Sequence, residues 1–222
     1  MSLVAFTVSG MRPTPLPTIP GLIEAHQINV RAYVHRDGVP GLCLFSLDAN
    51  NPPAVRAARL GYRLAFHARM HVGEDAGVVA FRSERTDANA PKATFDAVWQ
   101  VGDALPICQP GTLDFFLLER YVLYSGTNDH LLRTRIHHRP WPPRSVTSWP
   151  LSSTMLAAQR LPRQTDAPLT RAQAAPLDVA IWPPRHPPMT AGTGQGMRLT
   201  AHLPADFPAG NRSPRHTSAG SE

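Results

Sequence analysis

Apolar and polar side chains alternate one for one through stretch after stretch of this chain. A period of two belongs to a strand with one face buried. Residues 27–35 set the pattern: Ile28, Val30, Ala32 and Val34 take one face, and Asn29, Arg31, Tyr33 and His35 take the other. Residues 66–72 repeat it, with Phe66, Ala68, Met70 and Val72 opposed to His67, Arg69 and His71. Residues 41–46 make a nearly continuous apolar strand, entered through a turn at Asp37-Gly38. Residues 78–85 and 94–101 read as a hairpin across the polar loop 86–91, and 120–125, 131–139 and 145–151 continue the series.

Helices are few. Asn51 reads as an N-cap, with Pro52 and Pro53 in the first turn and helix formers through residue 61. Thr112 caps a second short helix over 113–118, and Ser152 or Ser153 a third that runs to 159. Many strands with a few interposed helices predict an α+β, β-dominated fold, its sheet curled into a barrel.

The ordered domain is expected to span residues 1–183. The tail, residues 184–222, holds six prolines, five glycines and no sustained period, which predicts disorder. Its Gly192, Gly194 and Gly196 lack the preceding strand and following helix of a phosphate loop. No apolar run approaches the roughly 20 residues of a membrane helix. The first residues also lack a basic segment followed by an apolar one, so the sequence points to a cytoplasmic protein without a membrane partner. Cys43 and Cys108 have no metal or redox spacing and read as buried thiols. The net charge of +6 comes almost wholly from arginines spread along the chain, Lys92 being the single lysine. A dispersed charge of this kind is a poor footprint for nucleic acid.

Several motifs taken in order carry a resemblance: Ile28-Asn29-Val30-Arg31-Ala32-Tyr33-Val34, Pro40-Gly41 with Phe45-Ser46-Leu47-Asp48-Ala49, Phe66-His67-Ala68-Arg69-Met70, Gly111-Thr112-Leu113 leading to Glu119-Arg120-Tyr121, and His137-His138-Arg139-Pro140-Trp141-Pro142. Asp178-Val179 through Trp182-Pro183 closes the set. The pattern resembles the YqjF-like proteins, an uncharacterised bacterial family of the acetoacetate decarboxylase-like superfamily. The resemblance implies that superfamily's curled sheet or barrel. It also implies a further N-terminal segment that this chain lacks, so the chain looks truncated at its start. The related decarboxylases carry a lysine that forms a Schiff base with a keto acid. Here Phe66 and His67 fall where the lysines would be, and Lys92 reads as a surface residue. Decarboxylation through an iminium is therefore not expected, and no cofactor is implied.

Two pairs stand out as ligand candidates. Arg31 with Tyr33, and His67 with Arg69, each project from one strand face. A closed sheet would direct two guanidinium forks at a carboxylate or phosphate, with Tyr33 and His67 orienting a carbonyl. The plainer alternatives are solvated faces, or arginines paired with Asp48 or Glu119. Glu119 is a candidate buried base, or the partner of a neighbouring arginine; Arg120 and His138 complete the candidate ligand set. Adjacent His137 and His138 face opposite ways in a regular strand, so one packs against Trp141 while the other reaches the pocket. No metal-binding spacing exists, and His67 and His71 would sit about 13 Å apart at strand rise. Ser46 and Ser125 lack a nucleophile elbow. The leading expectation is a protein that binds a small organic acid, with a homo-oligomer left open. The alternatives are a lysine-independent lyase, hydratase or isomerase using Glu119 or a histidine, and a non-catalytic interaction protein.

Overall fold

A computed structural model of the chain describes residues 1–8, 12–13, 25–61, 64–127, 130–148, 151–162, 172–173 and 179–182. The tail beyond residue 183, with its glycine triplet, lies outside the described residues.

The strands are β1 (Ser2–Val8), β2 (Arg12–Pro13), β3 (Ala25–Arg36), β4 (Val39–Ala49), β5 (Ala65–Asp75), β6 (Val78–Arg85), β7 (Thr94–Ala104), β8 (Val122–Thr127), β9 (His130–His137), β10 (Pro143–Ser148), β11 (Ser152–Ser153), β12 (Ala172–Gln173) and β13 (Ala180–Ile181). Among the described residues three short helices interrupt them: α1 (Pro52–Gly61), α2 (Leu113–Leu118) and α3 (Met155–Ala158). Asn51 caps α1, its Oδ1 accepting the Ala54 N–H at 2.9 Å, as the sequence predicts. The cap of α3 differs from expectation. Ser152 and Ser153 pair with β7 as β11, so the helix begins after Thr154. β1 was not foreseen; its register with β3 places Ser2 opposite Arg31.

All strands join one large curled sheet, and β4 is its branch point. β3 pairs along the whole of β4 through a turn at Asp37 (φ 52°) and Gly38 (φ 74°). The other edge of β4 is divided: Leu47 to Ala49 run parallel to β5, and Leu42 and Cys43 parallel to β8. One arm continues β5-β6-β7-β10-β12, the other β8-β9-β13-β2. The expected barrel does not form. Among the described residues the arm ends β12 and β2 do not pair with each other; β4 shares one edge between two strands and sends them into separate arms. A bulge on β4 opposite Val30 and Arg31 adds local twist at the branch.

Both faces of the β3–β4 hairpin are covered. On one, Ile28 and Val30 are sealed against Met70, Phe81, Phe95 and Met155. Each such side chain contributes roughly 1.5–3 kcal/mol of burial. Also within the protein, Asp48 on β4 meets Arg85 on β6 across the intervening β5. The carboxylate accepts Arg85 Nε and Nη2, both at 2.7 Å, and both side chains are fully buried. Phe66 lies over the same guanidinium at 4.0 Å. The second face carries Tyr33, Leu42, Leu44 and Leu123 in one cluster, close to α2.

Candidate functional site

The candidate site grows from α2. Thr112 opens this helix with its Oγ1 accepting the Phe115 N–H at 3.2 Å. The short helix brings the Phe116 ring and the Leu117 carbonyl onto the second face of β3. Leu117 O accepts Arg31 Nη2 at 3.2 Å and the Tyr33 hydroxyl at 3.1 Å. Ser2 Oγ accepts Arg31 Nε at 3.3 Å and donates to the Tyr33 hydroxyl at 3.2 Å. Phe116 packs against Tyr33, ring centres 5.0 Å apart, and supports the Arg120 guanidinium 4.4 Å from its own centre. Arg120 Nη1 donates to the Glu119 carbonyl at 2.9 Å.

Arg31 and Arg120 are thus gathered around one aromatic pair, 9% and 8% exposed. Neither forms an ion pair with a carboxylate among the described residues. Every oxygen named here that meets either guanidinium is neutral. Burial pushes the Arg120 pKa down, and the like charge of Arg31 adds to that, while Tyr33 and Glu119 oppose it. A guanidinium cannot shed its proton to escape such an environment.

Glu119 is occupied elsewhere. One carboxylate oxygen accepts the Trp141 N–H at 2.9 Å and the other accepts the Tyr121 hydroxyl. Burial raises the Tyr121 pKa and the bond to Glu119 raises it further. His138 donates from Nδ1 to the Arg139 carbonyl at 2.7 Å, and its Nε2 accepts Trp141 Nε1–H at 3.3 Å. That pairing sets the Nδ1–H tautomer and engages both ring nitrogens. His138 also stacks on Tyr121 at 4.8 Å. It is therefore the histidine that packs against Trp141, and His137 is exposed. Glu119 and His138 together lock the chain that leaves β9.

His67 and Arg69 lie on the other arm. The His67 N–H donates to Asp87, whose carboxylate also takes two bonds from Arg59 at 2.9 and 2.8 Å. Arg69 is exposed and pairs with Glu84 across the strands at 3.4 Å. Of the seven candidates, then, Arg31, Tyr33 and Arg120 converge, Glu119 adjoins them through the backbone, His138 is held against Trp141, and His67 and Arg69 stand apart. Sequence reasoning missed Phe116, which passes for a core residue in an apolar run, and Ser2, whose role depends on an unforeseen strand. Among the described residues no cluster of His, Cys, Asp and Glu could hold a metal ion, and no helix is long and apolar enough to cross a membrane. A shallow hollow of about 600 Å³, lined by His26, Asn50, His71 and Arg82 among others, includes neither buried arginine.

Comparison with known proteins follows this geometry. The uncharacterized protein YqjF of Bacillus subtilis (strain 168) is 32% identical over 186 residues, which cover 83% of this chain and 76% of that protein. No solved structure shows a significant match. The model of family DUF2071, described as an uncharacterized conserved protein, matches residues 1–176. With the family model covering most of its length, this chain belongs to the DUF2071, YqjF-like family.

Proposed function

We propose that this protein binds a small carboxylate between Arg31 and Arg120, on an acetoacetate decarboxylase-like framework stripped of Schiff-base chemistry. One observation carries the reading: two guanidiniums on one face, close enough to repel, are buried and neither is ion-paired with a carboxylate among the described residues. Burying an unpaired charge is expensive, and a bound anion removes that penalty through charge-assisted, forked hydrogen bonds. Tyr33 adds a hydroxyl, and Leu42, Leu44 and Leu123 supply an apolar floor on the same face. Lys92 is exposed, and Phe66 and His67 offer no amine, which supports binding without iminium formation. The engagement of both Glu119 oxygens supports binding over the lyase, hydratase or isomerase alternative.

Thermal-shift titration of acetate, butyrate and malonate against wild type, Arg31→Ala and Arg120→Ala tests the reading. Ligand at a hundredfold excess over Kd stabilises by about 2.7 kcal/mol, which is roughly 5–11 °C in Tm for a domain of this size. Wild type should show such a rise with at least one acid, and each variant should lose it. No rise in wild type, or equal rises in all three proteins, would remove the arginine clamp.

A further inference from the structure

The face that carries Arg31 extends beyond the arginine pair, and its polar atoms define more than a carboxylate. Strand register places Arg31 opposite Leu44 and Tyr33 opposite Leu42. Leu42 lies beside Leu123, and Leu123 lies opposite Thr134. Alternation then puts Asn29, two residues before Arg31, and Ser125, two after Leu123, on this same face. Asn29 is paired with Leu47, which packs in the same leucine cluster.

Asn29, Ser125 and Thr134 are 7%, 7% and 0% exposed, and Asn29 Oδ1, Ser125 Oγ and Thr134 Oγ1 have no hydrogen-bond partner among the described residues. Buried polar atoms are nearly always paired, so three orphans on one face, beside two buried guanidiniums that make no ion pair among the described residues, suit an absent polar partner. Their chemistry restricts that partner. As the amide is oriented, Asn29 presents Oδ1, which accepts, so a ligand that brings a donor would satisfy it. Along β3 the Cα atoms of Asn29 and Arg31 are about 7 Å apart, and Ser125 stands two strands, roughly 10 Å, from Arg31. An acid of two to four carbons bridges such separations once side-chain reach is included.

We propose that this face selects a small hydroxy acid. Its carboxylate sits between Arg31 and Arg120, its hydroxyl donates to Asn29, and its carbon chain lies over Leu44 toward Ser125. The proposal rests on the carboxylate-binding reading above and adds the ligand's donor.

Isothermal titration of the full chain with three matched pairs tests it: glycolate and acetate, lactate and propionate, 3-hydroxybutyrate and butyrate. Wild type should bind the hydroxy member of at least one pair about tenfold more tightly, the worth of one added buried hydrogen bond. Asn29→Ala should abolish that preference while leaving the affinity for the plain acid within about twofold. Asn29→Leu, which keeps the side chain's bulk but not its acceptor, should do the same and carries the test if Asn29→Ala fails to fold. Without ligand, Thr134→Val and Ser125→Ala should each raise Tm, since each removes an unpaired buried hydroxyl. Equal affinities within every pair, with binding lost in Arg31→Ala, overturn the hydroxy-acid proposal and leave carboxylate binding intact. Absence of binding by all six acids overturns both. A lower Tm in both hydroxyl variants would show that these atoms are partnered, and would also overturn the proposal.

Discussion

Replacing Asp48 by Asn should be among the most damaging single substitutions in this protein. The carboxylate accepts two 2.7 Å bonds from Arg85, and neither side chain has any contact with solvent. Burial pushes the Asp48 carboxyl up, and the two bonds and the charge of Arg85 pull it back. Asparagine keeps the shape but presents an NH₂ to one guanidinium nitrogen and leaves a buried cation uncompensated. Removing one partner of a buried ion pair costs about 3–5 kcal/mol. For a domain of this size that corresponds to a fall in Tm of roughly 6–20 °C. The double variant Asp48→Leu/Arg85→Met removes both charges and should recover most of the loss. The remainder is the Pro91 carbonyl, which Arg85 Nη1 meets at 3.1 Å and which would lose its donor. Urea denaturation of wild type, Asp48→Leu, Arg85→Met and the double variant gives the coupling energy directly. A loss below about 1 kcal/mol for Asp48→Asn, as expected for an exposed pair, would refute the claim that this bridge is sealed.

Other consequences follow from single contacts. Gly41→Ala would put a Cβ 2.7 Å from Tyr124 Cε2 and 2.8 Å from the Val122 carbonyl; chemical denaturation should show a loss of about 1–3 kcal/mol from the overpacked β4–β8 contact. Thr112→Ala removes the cap of α2 and should cost about 1 kcal/mol, with weakened acid binding, because α2 positions Phe116 and the Leu117 carbonyl. Burial raises the Asp87 carboxyl, but the bonds from Arg59 and the His67 N–H outweigh it and hold its pKa below the ordinary 3.8. The unfolded chain therefore binds the proton more readily. The stabilisation is complete above pH 3.8 and disappears as pH falls through the lower folded value. The partly exposed Asp87→Asn variant should be less stable by up to about 1 kcal/mol at pH 7, converging on wild type in acid.

The hairpins were legible because alternation and short apolar runs are local signals. Residues 27–35, 41–46, 66–72 and 78–85 fall within β3, β4, β5 and β6. The turn at Asp37-Gly38 is legible for the same reason, since Gly38 accepts positive φ without strain. Closure of the sheet is a non-local property and was misread. Nothing within the segment around Leu42 and Leu47 reveals that two different strands will share one edge of β4. The candidate site divides along the same line. Arg31 and Tyr33 were found because they share a strand face, and the same rule grouped His67 with Arg69, which lie on the other arm. Arg120 follows a helix, so only the tertiary path of α2 brings it to Phe116 and Arg31. Asp48 was recognised as a partner for arginine, but Arg85 was not singled out, since it closes an alternating strand like any charged residue at a sheet surface.

The central claim is that Arg31 and Arg120 are the two jaws of an anion site. A crystal structure determined with a bound hydroxy acid tests this most directly. The account predicts a carboxylate with oxygens about 2.7–3.2 Å from nitrogens of both guanidiniums. Density for the acid elsewhere, with both arginines closed on a carboxylate of the protein itself, would contradict it.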